Sequence, residues 1–240
     1  MAGHNKWSSI KHKKAKTDAQ KGKVFSKISK EIIMATKLGG ADAEMNPRLR
    51  LALQKAKEAN MPNDNIKRAV EKGSGSADDS NLEELQFEAY GPAGVAILID
   101  TLTDNRNRTV SNLKALLNKS GATMAQKGAV GYLFSLKGLI LFAENENEDE
   151  IIDLAIENGA EDVQVTNEKM IEIVIPVSEL ELLRKVYDEK SLVYETATLT
   201  KLPSTFVILN DAQRESFAKL YEKLEDDDDV QEVYSNANFE

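Results

Sequence analysis

Cysteine is absent from the 240 residues. That excludes disulfide staples, thiol nucleophiles and cysteine-ligated zinc, and it makes a reducing, cytoplasmic setting the expected one. Histidine occurs only as His4 and His12. Two imidazoles that far apart with no cysteine nearby make a poor metal site, so no metal and no cofactor are expected. Long apolar runs are missing as well. The longest, PAGVAILI at 92–99, falls well short of the ~20 residues of a membrane-spanning helix. The amino terminus is basic but has no apolar segment of the secretory type. Its first thirty residues hold no arginine, unlike a mitochondrial presequence. None of the patterns G-x-x-x-x-G-K-[ST], G-x-G-x-x-G or G-x-S-x-G is present, so neither a common nucleotide cradle nor a serine-hydrolase elbow is announced.

The sequence is rich in charge that is unevenly placed. Formal net charge is −9, yet nine lysines (6, 11, 13, 14, 16, 21, 23, 27 and 30) and one acid, Asp18, occupy the first thirty residues. Residues 1–74 carry 17 Lys+Arg and 7 Asp+Glu, a net of +10, while 75–240 carry 14 and 33, a net of −19. A basic module joined to an acidic one points to a polyanionic partner, with the acidic part keeping the protein soluble.

Along the chain, residues 1–21 have too few apolar side chains to order alone and read as a basic flexible arm. Val24, Phe25, Ile28, Ile32 and Ala35 then recur at helical spacing and stop at Gly39-Gly40. Asn46 and Pro47 cap and open a second helix, Met61-Pro62 ends it, and Asn63 or Asp64 caps a third through about Lys72. Residues 22–74 thus form a helical domain whose last two helices resemble a helix-turn-helix. GSGSADDSN (73–81) is a linker. Strands are expected at 85–90, 95–101, 130–136, 139–143, 163–165, 170–175, 192–199, 206–209 and 230–234. Helices are expected at 106–119, 149–158, 178–187 and 211–224, the last two capped by Ser178 and Asp211. From 139 to 199 the order is β-α-β-β-α-β, the ferredoxin-like pattern, and the flanking elements repeat it with 85–90 left as an extra edge. The fold class is therefore α+β (α/β). An N-terminal three-helix domain precedes two ferredoxin-like α+β domains, one inserted in the other: 82–136 with 204–240, interrupted by 137–203.

The arm carries the clearest chemistry. KHKKAK (11–16) packs Lys11, His12, Lys13, Lys14 and Lys16 into six positions, and each lysine that neutralises a phosphate releases a counterion. Trp7, the only tryptophan, can stack on an exposed base or dock on the three-helix unit; stacking contributes roughly 1–3 kcal/mol. Lys6, Lys21 and Lys23 extend the same charge. Arg48, Arg50, Lys55, Lys57, Lys67 and Arg68 carry it onto the helices, although a charged helix face is commonly only solvated. DTLTDNRNRT (100–109) admits three readings: a helix cap at Asp104 or Asn105, a phosphate or RNA-backbone contact, or acid/base chemistry by Asp100 and Asp104. DDDD (226–229) reads as a solvated turn. The residues by themselves leave three functions open: a non-enzymatic nucleic-acid-binding regulator, an enzyme using Asp100 and Asp104, and a protein adaptor working through the acidic domains.

MAGHNKWSSIKHKKAKTDAQKGKVFSKISKEI closely resembles the amino terminus of the YebC/PmpR family. NPRLRLALQKAKEANMPNDNIKRAVEKG, YGPAGVAILIDTLTDNRNRTV and DDDDVQEVYSNAN resemble it too, so the similarity spans nearly the whole chain. It implies a helical domain and two α/β domains around a cleft. It also implies a DNA-binding transcriptional regulator, or a ribosome-associated translation factor binding ribosomal or transfer RNA, since the family includes a mitochondrial translational activator. Carried over by position, it implicates Lys6, Trp7, Lys11, His12, Lys13 and Lys14, and Asn105, Arg106, Asn107, Arg108 and Thr109. One stretch departs from the family pattern: MAQKGAVGYLF (124–134) has Lys127 where an acid is expected.

Overall fold

The computed structural model describes residues 18–75, 81–144, 147–166 and 169–238. In chain order the elements begin with helices α1 (Asp18–Gly39), α2 (Pro47–Glu58) and α3 (Asn63–Ser74). Strands β1 (Glu83–Tyr90) and β2 (Ala96–Thr103), helix α4 (Arg106–Lys119) and strand β3 (Thr123–Met124) follow. Next come β4 (Phe134–Phe142), α5 (Glu148–Glu157), β5 (Asp162–Val165), β6 (Ile171–Ile175), α6 (Leu180–Glu189) and β7 (Thr196–Pro203). The chain closes with β8 (Val207–Ile208), α7 (Asp211–Glu225), β9 (Val230–Ser235) and β10 (Ala237–Asn238). This is a mixed α+β protein. Its described residues divide into two compact units, 18–131 with 210–235 and 132–209 with 236–238.

In the first unit, Ile28, Ile32, Leu49, Ala52, Ala56, Met61 and Ala69 bury the facing stripes of α1, α2 and α3. Asn46 joins the first two helices. Its side chain accepts from Leu49 N (3.1 Å) as the cap of α2 and donates to the carbonyls of Ala35 and Gly40 (2.8 Å each) at the end of α1. The chain can turn there because Gly40 takes φ +84°, a conformation that costs glycine little. The side-chain cap expected at Asn63 or Asp64 is not formed. Pro62 holds the capping position, and its carbonyl accepts from Asn65 N (2.9 Å) and Ile66 N (3.2 Å). Asn63 and Asp64 lie inside the first turn, past the position from which a side chain caps, and proline has no side-chain acceptor to offer.

The sheet of this unit runs β3-β1-β2-β9, all antiparallel. This is the ferredoxin-like order with two strands supplied differently from the expectation. β1 stands beside β2 where Phe206–Leu209 was expected, and two-residue β3 replaces Val130–Leu136. The reason is proximity in sequence. β1 and β2 pair over eight residues, from Glu83↔Thr103 to Tyr90↔Ala96, across a short turn, and closing that hairpin costs far less chain entropy than recruiting a strand more than a hundred residues away. Val207–Ile208 instead pairs in parallel with β10.

The second unit has the expected β-α-β-β-α-β order and the sheet β5-β6-β4-β7. Ile140, Phe142, Ile171, Ile173 and Ile175 pack against Ile151, Ala155, Leu180, Leu183 and Tyr187 of the two helices. The Tyr187 ring meets Phe142 edge-on at 4.9 Å, and its hydroxyl donates to Ile151 O at 2.9 Å. β4 is one strand through Lys137-Gly138, where a turn between two strands was expected. Gly138 is there for space: a Cβ would lie 2.7 Å from Ile175 Cγ2 and 3.1 Å from Leu180. The two remaining caps each shift by one residue. Glu179 precedes α6 without a side-chain cap, and Asn210 caps α7 in a reciprocal box with Gln213.

Candidate nucleic-acid interface

The buried strand β2 delivers its polar end to the start of α4. Asn105 N donates to Thr103 Oγ1 (2.9 Å), and Asn105 Oδ1 accepts from Arg108 N (3.1 Å), so the capping reading of this segment is realised in the fold. Arg106 and Asn107, in the first turn, are exposed, and neither side chain bonds a described residue. Arg108 is differently placed. Its guanidinium donates to Asp104 (2.7 Å) and to both carboxylate oxygens of Asp229 (3.0 and 3.1 Å). Thr109 is fully buried, with its hydroxyl 2.8 Å from Asp229 Oδ2 and 2.8 Å from Thr103 Oγ1. Asp100 accepts from Gln86 Nε2 at 2.8 Å across the β1–β2 pair.

Asp229 is the hub of this arrangement. Its side chain is only 5% exposed and also accepts from Lys30 Nζ at 2.8 Å. Burial alone would raise its pKa. The hydrogen bonds from Lys30, Arg108 and Thr109 outweigh burial and hold the carboxyl below its ordinary value. The solvated-turn reading of 226–229 therefore suits Asp226 and Asp228, which are exposed, and fails for Asp229. Four identical letters hide the distinction. The only local signal is that Asp229 directly precedes the buried strand residue Val230.

The structure sorts the cations of the basic region into two groups. Lys23, Lys27 and Lys30 lie on one face of α1 and donate to backbone carbonyls at the end of α7. Lys23 bonds Asp226 O (3.0 Å), Lys27 bonds Glu225 O, and Lys30 bonds Asp228 O (2.7 Å). They neutralise the negative end of the α7 dipole and fasten α1 to the sheet half of its unit. Arg48 is likewise committed, to Glu31 (2.9 Å) and to Glu84. Burial would lower its pKa, but these two carboxylates more than offset that and raise it. Arg68 folds back on Asp64 O (3.2 Å) and Asn65. Arg50 and Lys67 are exposed and bond no described side chain, and Lys21 is exposed in the first turns of α1. Lys6, Trp7, Lys11, His12, Lys13, Lys14 and Lys16 lie outside the described residues. Among the described residues no group of three or more His, Cys, Asp or Glu is placed to hold a metal ion. No described helix is long and apolar enough to cross a membrane.

Residues 5–76 match the family description "TACO1/YebC protein N-terminal domain", and residues 82–237 match "TACO1/YebC second and third domain". The chain belongs to the TACO1/YebC family. Relatives extend over essentially the full length. A protein of Polynucleobacter asymbioticus is 45% identical over 99% of both chains, and one of Geotalea uraniireducens is 47% identical over 98% of this chain and 95% of its own. Both are named "Probable transcriptional regulatory protein". The crystal structure of the conserved hypothetical protein Aq1575 from Aquifex aeolicus superposes with a TM-score of 0.85 at 43% identity, covering 97% of this chain and 96% of that one.

This TACO1/YebC member also contains a device that the sequence did not disclose. Glu88, on β1, is buried, and its carboxylate accepts from the backbone N–H groups of Gly128 (2.6 Å), Val130 (2.6 Å) and Gly131 (2.9 Å). Burial would raise its pKa, but the three peptide donors reverse the shift and lower it. The loop around Gly128–Gly131 is thus held by its backbone. Lys127 is exposed on its outside.

Proposed function

We propose that this protein is a non-enzymatic nucleic-acid-binding regulator, a transcriptional regulatory protein like the relatives whose names describe them so, working in the cytoplasm through the basic arm. The observation that carries the reading is the division of the cations. Lys23, Lys27, Lys30, Arg48 and Arg108 are consumed by bonds inside the protein. Arg50, Lys67 and Arg106 are exposed without such bonds, and the five lysines of residues 1–17 have no acid among them. Fastening α1 to α7 anchors the root of the arm, so the arm's charge is presented from a fixed point. Arg106 and Asn107 at the positive end of α4 add donors suited to a phosphate.

A second reading, binding to ribosomal or transfer RNA as a translation factor, is favoured by α3. Arg68 is drawn back onto its own helix, which leaves Lys67 with few base-reaching companions. That is little for groove readout and enough for backbone contacts. Replacing Lys11, Lys13, Lys14 and Lys16 by Ala should reduce the slope of log K against log salt by up to ~3.6 on duplex DNA, at ~0.9 per lost phosphate contact. An unchanged slope would sink the arm's role. Crosslinking in growing cells, with sequencing of bound DNA and RNA, separates the two readings: arm-dependent promoter contacts support transcription, and arm-dependent ribosomal or transfer RNA contacts support translation.

A further inference from the structure

Positive charge has a second concentration, away from the amino terminus. Residues 75–240 hold 14 Lys+Arg and 33 Asp+Glu, yet 105–131 within them hold Arg106, Arg108, Lys114, Lys119 and Lys127 and no acid at all. Among the described α-helices, α4 alone has neither Asp nor Glu. Its inner stripe, Thr109, Leu113 and Leu117, is buried. On the other side Asn107, Ser111, Lys114 and Asn118 follow at steps of four, three and four, and all are exposed. That spacing makes one outward line of amides, a hydroxyl and a cation. The side chains of Asn107, Lys114, Asn118 and Lys119 bond no described residue. Helix α4 packs against β3, and the loop after β3 exposes Lys127. Nearby acids do not cancel this charge. Asp104 is drawn onto Arg108 (2.7 Å), Asp229 is buried in its hub, and Glu88 turns its carboxylate onto the N–H groups of Gly128, Val130 and Gly131. Helix α7, packed against α4, carries the exposed acids Asp211, Glu215 and Glu222 and bounds the surface on its side. Glu215 is itself paired with Lys219 (2.6 Å).

We infer that the outer face of α4, together with Lys127, is a docking surface for base-paired RNA that works independently of the arm. The lysines suit a phosphate backbone. Helix α4 has no aromatic residue, so it offers an unpaired base nothing to stack on. Depth decides between the grooves of a duplex. Helix α4 lies on its sheet with α7 against it, so it cannot sink into the major groove of B-DNA, ~8.5 Å deep and ~12 Å wide, as a free recognition helix does. The minor groove of A-form RNA is wide and shallow, and its 2′-hydroxyls both donate and accept. The Asn107 and Asn118 amides match them in both respects. The Ser111 hydroxyl donates to Asn107 O (2.9 Å) and keeps its lone pairs for a donor. At 14 residues α4 is about 20 Å long, enough to lie across that groove with lysines against its phosphate rims. The class of partner rests on the nucleic-acid reading proposed above; the surface does not depend on the arm.

The test is a salt titration of the full chain with a blunt RNA duplex of about 20 base pairs and with the DNA duplex of the same sequence, followed by fluorescence anisotropy. Lys114→Ala, Lys119→Ala and Lys127→Ala together touch no internal bond, so circular dichroism and the melting temperature should stay as in wild type. The slope of log K against log salt on the RNA duplex should fall by up to ~2.7, taking ~0.9 per lost phosphate contact. The same three positions changed to Arg should restore it. An unchanged slope in a folded triple-Ala variant overturns the surface. Asn107→Ala with Asn118→Ala should weaken the RNA duplex severalfold and leave the DNA duplex unaffected; equal weakening of both overturns the assignment to RNA. The chain with Ala at Lys11, Lys13, Lys14 and Lys16 reports on the arm in the same titration. A slope lost there and kept in the α4 variant refutes this surface and leaves the arm's role standing. A slope lost only in the α4 variant supports the surface and refutes the arm, and no loss in either refutes both.

Discussion

Asp229→Asn probes the hub on which the first unit depends. The native carboxylate accepts from Lys30, from Arg108 through both oxygens, and from Thr109. Asparagine keeps one acceptor, loses the charge, and sets an amide N–H₂ against donors. Removing one partner of a fully buried ion pair costs about 3–5 kcal/mol. Here the Lys30 and Arg108 side chains are 20% and 46% exposed, so water offsets part of the loss, and about 2–3 kcal/mol is expected. For a chain of this size that corresponds to a fall in Tm of about 4–12 °C. The pH dependence has a definite sign. The folded pKa of Asp229 lies below its ordinary 3.8, so its contribution is complete above that ordinary value and disappears as pH falls through the folded one. The gap between wild type and variant should be widest near neutrality and narrow in acid. Urea unfolding followed by circular dichroism from neutrality down to acid measures both, and hydrogen exchange should rise in α1 around Lys27–Ile33. A loss below about 0.5 kcal/mol, or a gap that does not change with pH, would refute the reasoning.

Other perturbations test separate parts of the account. Asn46→Ala removes the cap of α2 and both donors to the end of α1; about 2–3 kcal/mol of destabilisation is expected by chemical denaturation, and a cost under 1 kcal/mol would contradict the double role. Glu88→Gln weakens the acceptor for three peptide N–H groups and should speed exchange at 128–131; because the folded pKa of Glu88 is lowered, the effect is largest above its ordinary range and fades in acid. Gly138→Ala places a methyl 2.7 Å from Ile175 Cγ2 and should cost about 1–3 kcal/mol; a neutral result in thermal melts would show that β4 and β6 can separate there.

The helices and the β-α-β-β-α-β order of the second unit were legible because their signals are local. Ile28, Ile32 and Ala35 state a helical period, Asn46-Pro47 states a start, and the β-α-β-β-α-β alternation from 139 to 199 needs no distant information. Gly138 misled for a physical reason: glycine marks a turn far more often than a strand position that must admit Ile175 and Leu180. The sheet of the first unit misled because strand choice is a competition. An eight-pair hairpin with β1 outbids a distant segment, and nothing in Phe206–Leu209 records that contest.

The candidate interface shows the same boundary. The sequence by itself determined that positive charge is concentrated at the amino terminus and that cysteine and the common phosphate-loop motifs are missing, which makes a polyanion the partner to test for. Only the tertiary structure decided which cations are available to it. Lys23, Lys27 and Lys30 are the same letter as Lys11, Lys13 and Lys14, and a side chain's charge does not reveal what it will be paired with. That depends on α7 ending against α1 and on Asp229 being carried under Arg108 and Thr109, contacts between residues more than a hundred positions apart in the chain.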